Sequence, residues 1–173
     1  DSGPQGIQGI QGVAGADGAQ GPQGVAGNGA PTYTVLGADV TNATTAYANL
    51  TGMTLAVAAS TRYAVECVFS YNANATTTGV GFGWTGPASP TLAAAQMTAG
   101  LAAATVGGTT IGGNDTGGAT ATSVATTGNV ARLVGFWSNG ANAGTLQFRF
   151  KSEIAIAGAI VAKAGSWCRA SIY

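Results

Sequence analysis

Glycine occupies every third position from Gly3 to Gly27, nine times in succession: Gly3, Gly6, Gly9, Gly12, Gly15, Gly18, Gly21, Gly24 and Gly27. At the axis of a collagen triple helix only glycine fits, because any Cβ would collide with the neighbouring chains. The register predicts a triple-helical stalk over residues 1–29 and with it a parallel homotrimer, since one chain cannot build that axis. The repeat breaks at Gly27-Asn28-Gly29. Proline stands only in the second place of the triplet, at Pro4 and Pro22, while Gln5, Gln8, Gln11, Gln20 and Gln23 take the third. Hydroxylation has nothing to act on in that third place, and amide side chains can hydrogen-bond across the strands instead. This composition suggests a bacterial or viral origin. The segment would form a rod on the order of 80 Å long at roughly 3 Å per residue. A disordered glycine-rich linker is the bland alternative. So short a stalk with so little proline is expected to depend on an attached folded trimer for its register.

Residues 30–173 are enough for one domain with its own core. Charged residues are only 7% of the chain, six basic against six acidic, so no basic patch exists to neutralise phosphates and nucleic-acid binding is disfavoured. So little charge suits a surface partly hidden in an assembly better than a free monomer. No apolar run reaches transmembrane length, which argues against membrane insertion, and no signal peptide opens the chain. The chain begins at Asp1 rather than Met, so an N-terminal part is expected to precede it.

Past the stalk the hydrophobic period changes to two. Tyr33 and Val35 alternate with Thr32 and Thr34, and Leu50, Met53, Leu55 and Val57 follow. Tyr63, Val65, Cys67, Phe69 and Tyr71 share one face of a strand. Val80, Phe82 and Trp84 alternate with Gly79, Gly81 and Gly83, a glycine face that implies close approach by another sheet or chain. Leu133–Trp137 and Leu146–Phe150 make strands on either side of a turn at 139–144, and Ile154–Lys163 and Trp167–Tyr173 close the chain. The best helical candidate is the alanine-rich stretch from Thr91 to Ala104, good for one or two turns at most. Residues 107–127 are nearly all Gly, Thr, Ala and Ser, a long loop or weak edge strands. The expected fold is all-β: an antiparallel, jelly-roll-like β-sandwich head after the collagen stalk.

Cys67 and Cys168 both fall in apolar strand patterns. Two buried thiols are the first expectation. A disulfide tying the last strand to a central one is the second, favoured outside the cell. The four Asn-x-Thr sequences, at Asn42, Asn49, Asn74 and Asn114, are read as accidents of composition.

Catalysis is disfavoured, and no cofactor or metal is expected. The chain has no histidine, which removes the commonest general base and metal ligand. Asp39, Glu66, Asp115 and Glu153 are the head's only carboxylates; Glu66 and Glu153 are expected in surface ion pairs, with neighbours such as Arg149 and Lys151. One carboxylate among glycines, Asp115, is too weak a donor set for calcium. Aromatic side chains stack on sugars, but alternating strand aromatics are mostly core. Trp137, beside the Ser138-Asn139-Gly140 turn, is the leading candidate for an exposed ligand contact, and Tyr47, in its Thr/Asn loop, is second.

A collagen stalk feeding a β head is similar in architecture to collagen-stalked complement proteins and the tumour-necrosis-factor family. In texture the head resembles fibre and knob domains of tailed-bacteriophage virion proteins. The resembling phrases include Tyr33-Thr-Val-Leu36, Asp39-Val-Thr-Asn-Ala-Thr-Thr45, Leu50-Thr-Gly-Met-Thr-Leu-Ala-Val57, Thr61-Arg-Tyr-Ala-Val-Glu66, Thr76-Thr-Thr-Gly79, Gly86-Pro87, Gly144-Thr-Leu-Gln-Phe-Arg-Phe150 and Ala164-Gly-Ser-Trp167. The resemblance implies a non-enzymatic homotrimer in a virion, a tail fibre whose knob attaches to a host-surface glycan or protein and whose other partners are virion proteins. The alternatives are a capsid decoration or head-fibre protein, and a collagen-like filament of a bacterial surface or spore.

Overall fold

The computed structural model describes residues 1–13, 15, 29–100, 106–112, 114 and 117–173, with the backbone alone over 106–112. Of the stalk glycines, Gly18, Gly21, Gly24 and Gly27 lie outside the described residues, as does Asp115.

From residue 32 the chain forms eleven strands and, among the described residues, no helix. They are β1 (Thr32–Val35), β2 (Val40–Asn42), β3 (Ala48–Val57), β4 (Arg62–Ala73), β5 (Val80–Thr85), β6 (Leu92–Gly100), β7 (Val106–Gly112), β8 (Asn129–Ser138), β9 (Gly144–Ser152), β10 (Ile160–Ala162) and β11 (Trp167–Ile172). All pair antiparallel. The larger sheet runs β1-β11-β4-β8-β6-β7, with β10 and β2 continuing it beside the far end of β4; the smaller is β3-β9-β5. The architecture is an all-β antiparallel sandwich.

Period two explains most of it. The odd-numbered side chains of β4 from Tyr63 to Tyr71 are buried against the small sheet, where Phe69 stacks on Phe82 with centroids 4.1 Å apart. In β3, Leu50 and Met53 break the alternation, yet both are fully buried. The register against β9 shifts between Asn49 and Thr54, and Gly52 sits there at φ 83°. Five steps of β3 stand against two of β9 there, and this bulge of three extra residues returns both side chains to the core.

Three sequence expectations change. Thr91–Ala104 holds a strand, β6, rather than helical turns: pairing with β8 on one side and β7 on the other satisfies its backbone, and Met97 alternates into the core. Cys67 and Cys168 are directly opposite on β4 and β11 and form a disulfide, not two buried thiols. Only Ile160–Ala162 of the segment 154–163 is a strand, and Ile154 and Ile156 lie exposed in the loop before it.

The glycine face of β5 is approached closely, by a segment of the same chain rather than another sheet. A Cβ on Gly79 would lie 1.5 Å from the Thr120 carbonyl oxygen, and one on Gly81 2.7 Å from that of Gly118. The strap is tied down by Thr120 N–H donating to the Val80 carbonyl at 2.9 Å and by the Ser123 hydroxyl donating to the Thr78 carbonyl at 2.6 Å.

Candidate self-association face

An antiparallel sheet with one face in water ordinarily alternates apolar-in and polar-out. The outer face of the large sheet departs from this. Register places its side chains in rows: Tyr33, Arg169, Glu66, Val134 and Gln96 across one; Val35, Trp167, Val68, Arg132 and Thr98 across the next. A third row runs Ser171, Ala64, Phe136 and Ala94. Tyr33, Val35, Leu92, Val130, Val134, Phe136 and Tyr173 are all among the exposed large hydrophobic residues, with Phe136 47% exposed and packed edge-on to Tyr173. Exposed large apolar residues gathered on one sheet face are the kind of surface that interaction sites present.

Val134 and Phe136 form a ridge between two hollows. One, of about 180 Å³, is lined by Ala64, Glu66, Arg169 and Ser171; the other, of about 400 Å³, by Ala94, Ala95 and Gln96. Small residues beside a large aromatic make a relief into which side chains of a second surface can interdigitate.

The charges in the middle of this face pair with one another, two arginines on one carboxylate. Glu66 accepts from Arg132 on one carboxylate oxygen and from Arg169 on the other, at 3.0 Å from Nε and 2.7 Å from Nη2. The hydrogen bonds from Arg132 and then Arg169 hold the Glu66 carboxyl below its ordinary pKa. Glu66 is thus in an ion pair, as its strand position suggested, but with these two arginines and not with Arg149 or Lys151. Asp39 is likewise lowered by Lys163 and the Ala164 N–H, while Glu153 accepts from the Gly79 N–H at 3.3 Å.

The two aromatic candidates lie elsewhere, and the structure does not bring them together. Trp137 is fully buried, its Nε1 donating to Asn139 Oδ1 at 3.3 Å and its ring meeting Trp84 edge-on. It is not an exposed ligand contact, because the odd positions of β8 face the core. Its neighbour Phe136 carries the exposed ring. The parity was present in the sequence, since Arg132 marks the even positions of β8 as outward. Tyr47 is half-buried outside the small sheet, with Lys151 Nζ 4.7 Å above its ring and its hydroxyl donating to the Gly117 carbonyl at 3.1 Å. Burial pushes its phenol up to about 12. Tyr47 thereby pins one end of the segment that covers β5.

In the segment expected to form the stalk, Gly3, Gly6, Gly9, Gly12 and Gly15 are exposed, and a Cβ built on any of them meets no atom of the described residues within 4 Å. No group of three or more His, Cys, Asp or Glu side chains able to hold a metal ion occurs among the described residues. The chain matches no protein-family model and no curated protein.

Proposed function

We propose that this chain is one third of a non-enzymatic homotrimeric fibre, a collagen rod over residues 1–29 joined to a jelly-roll-like head over 30–173, built into a bacteriophage virion to attach it to a host surface. The observation that carries the reading is the unbroken glycine register taken with its surroundings. Among the described residues nothing stands near Gly3 to Gly15 that would exclude a side chain, and glycine at every third place is what a three-chain axis requires.

The outer face of the large sheet gives those chains a second place to meet. Its β1 edge begins at Thr32, three residues beyond Gly29, so a rod that gathers three stalks also gathers three such faces. Glu66 and Asp39, held in their charged forms by cationic partners, are poor proton donors, which supports a binding role over general acid chemistry.

Light scattering on residues 30–173 tests the assembly. A trimer is expected, falling to a folded monomer on Phe136→Asp, which places a charge on the ridge. A trimer unaffected by that substitution would refute the face; a monomeric wild-type head would leave association to the stalk or to a site on a larger particle. Immunogold labelling of virions tests the location: label on the tail is expected, and label on the capsid would replace attachment with decoration.

A further inference from the structure

Where the stalk meets the head, three connections converge: 58–61 between β3 and β4, 86–91 between β5 and β6, and 139–143 between β8 and β9. They border an open hollow of about 300 Å³ lined by Ser60, Arg62, Thr91, Ser138, Asn139 and Gly140. We propose that this cavity is a binding site for a carboxylate-bearing saccharide, with the Arg62 guanidinium as its anion contact.

The cavity is built with care for its shape. Ser60, at φ 50°, and Ser89, at φ 57°, are the two non-glycine residues with positive φ among the described residues; Ser60 lines the hollow and Ser89 packs against Gly140 behind it. Backbone held in that sparsely populated region is concentrated at ligand clamps and other functional sites. The surroundings enforce it. The Ser60 N–H donates to the Gly140 carbonyl at 2.7 Å, and the Ser89 carbonyl packs so closely on Gly140 that a Cβ there would lie 2.4 Å away. Asn139 anchors the floor, donating from its side chain to the Ala58 carbonyl at 2.9 Å and from its backbone N–H to the Thr61 carbonyl at 2.9 Å.

Its chemistry is that of an anion and polyol receptor. Each of the other cations has a partner: Arg132 and Arg169 on Glu66, Lys163 on Asp39, Arg149 on the Tyr47 carbonyl and Lys151 over the Tyr47 ring. The Arg62 guanidinium has none among the described residues, and no carboxylate lines the cavity to compete for it. The Ser60 hydroxyl and the paired hydroxyls of Thr91 and Ser138, 2.7 Å apart, supply neutral donors and acceptors beside the charge. A guanidinium next to several hydroxyls matches a carboxylate next to several hydroxyls, and the volume is at the small end of ligand pockets, suited to a single sugar ring with its substituent.

The site lies within one chain and stands whether or not the heads associate. Isothermal titration of the full chain with a glucuronic-acid disaccharide tests it, with the neutral glucose disaccharide and sodium sulfate as comparisons. The acidic sugar is expected to bind and the neutral one to bind at least tenfold more weakly. Arg62→Gln should weaken the acidic sugar more than tenfold, Thr91→Val about fivefold as a single neutral hydrogen bond is lost, and Lys163→Gln, the same charge change at the opposite end, not at all. Equal binding of the neutral sugar, no binding of the acidic one, or an unchanged Arg62→Gln variant would overturn the site. Sulfate binding as tightly as the acidic sugar would overturn the saccharide assignment. A trimeric mass accompanying any of these failures would leave the fibre reading intact.

Discussion

Replacing Gly79, Gly81 and Gly83 by alanine, one at a time, should give a graded loss of stability that follows the distance to what covers each. None of the three has a positive φ, so alanine fits each backbone and the outcome depends on space alone. On Gly79 the new methyl would stand 1.5 Å from the Thr120 carbonyl oxygen, so the strap has to retreat. That breaks the two bonds donated by the backbone N–H groups of Thr120 and Val80 to each other's residue, at 2.9 and 3.1 Å, worth about 1 kcal/mol each. Partial uncovering of Val80, now fully buried, adds about 1 kcal/mol. The lower entropy of alanine in the unfolded chain offsets about 0.5–1 kcal/mol. The net loss is about 2 kcal/mol, which for a head of this size lowers Tm by about 8 °C. On Gly81 the nearest atom is the Gly118 carbonyl oxygen at 2.7 Å, and the loss should be about half as large by the same reasoning. On Gly83 the nearest atoms belong to the Tyr47 ring, 3.1 Å away and part of a side chain rather than backbone; a shift of a few tenths of an ångström accommodates the methyl, so stability should stay within about 0.5 kcal/mol of wild type. Urea unfolding and thermal melts of the variants measure the series. A Gly79→Ala variant as stable as Gly83→Ala would show that the strap does not lie against β5.

The disulfide closes a sequence separation of 101 residues between positions buried on both strands. The Cys67→Ala/Cys168→Ala double variant should lose about 3–5 kcal/mol in urea unfolding; a loss below about 1 kcal/mol would mean the constraint is not stabilising. Glu66 supplies a pH dependence whose sign follows from its lowered pKa. The stabilisation from its arginines is complete above the ordinary carboxylate value of 4.5 and disappears as pH falls through the lower folded value. Because the group is part-exposed, the effect is about 1 kcal/mol. Wild type should lose that much more than Glu66→Gln between pH 7 and about pH 3, and parallel acid profiles would remove the triad from the account.

The strands with unbroken parity were legible in the sequence because parity and burial are the same statement in a sheet. The odd positions from Tyr63 to Tyr71, and Leu146, Phe148 and Phe150, went to the core as their alternation required. Trp137 lies beside a turn, a position that suggests exposure, but the parity set by Arg132 turns it inward and Phe136 outward. The disulfide needed the β4–β11 register, which places Cys67 opposite Cys168 across a hundred residues of chain and has no local signal. The alanines of β6 carry too little side chain to reveal a period, so only its two strand neighbours decide its state. The polar cavity was illegible for a related reason: Ser60, Ser89 and Gly140 come from three separate connections, and their φ angles and close approaches exist only once the sheets are assembled.

Under the trimeric reading the stalk and the outer face depend on each other through geometry rather than through any shared residue. A triple helix this short nucleates slowly and holds weakly when its ends are free. Three heads joined by their β faces raise the local concentration of stalks, because the separation between Gly29 and β1 is short enough to keep the chains within reach of one another. The converse also holds. The apolar face is interrupted by the Arg132–Glu66–Arg169 cluster, whose burial in a contact costs desolvation that the ion pairs only partly offset. A face of that composition gains from being pre-gathered by a rod, and it discriminates against partners that lack matching charge and relief. A substitution in the face should therefore weaken the rod as well: Gly15→Val would lower the melting temperature of the stalk directly, and Phe136→Asp would lower it without touching the repeat.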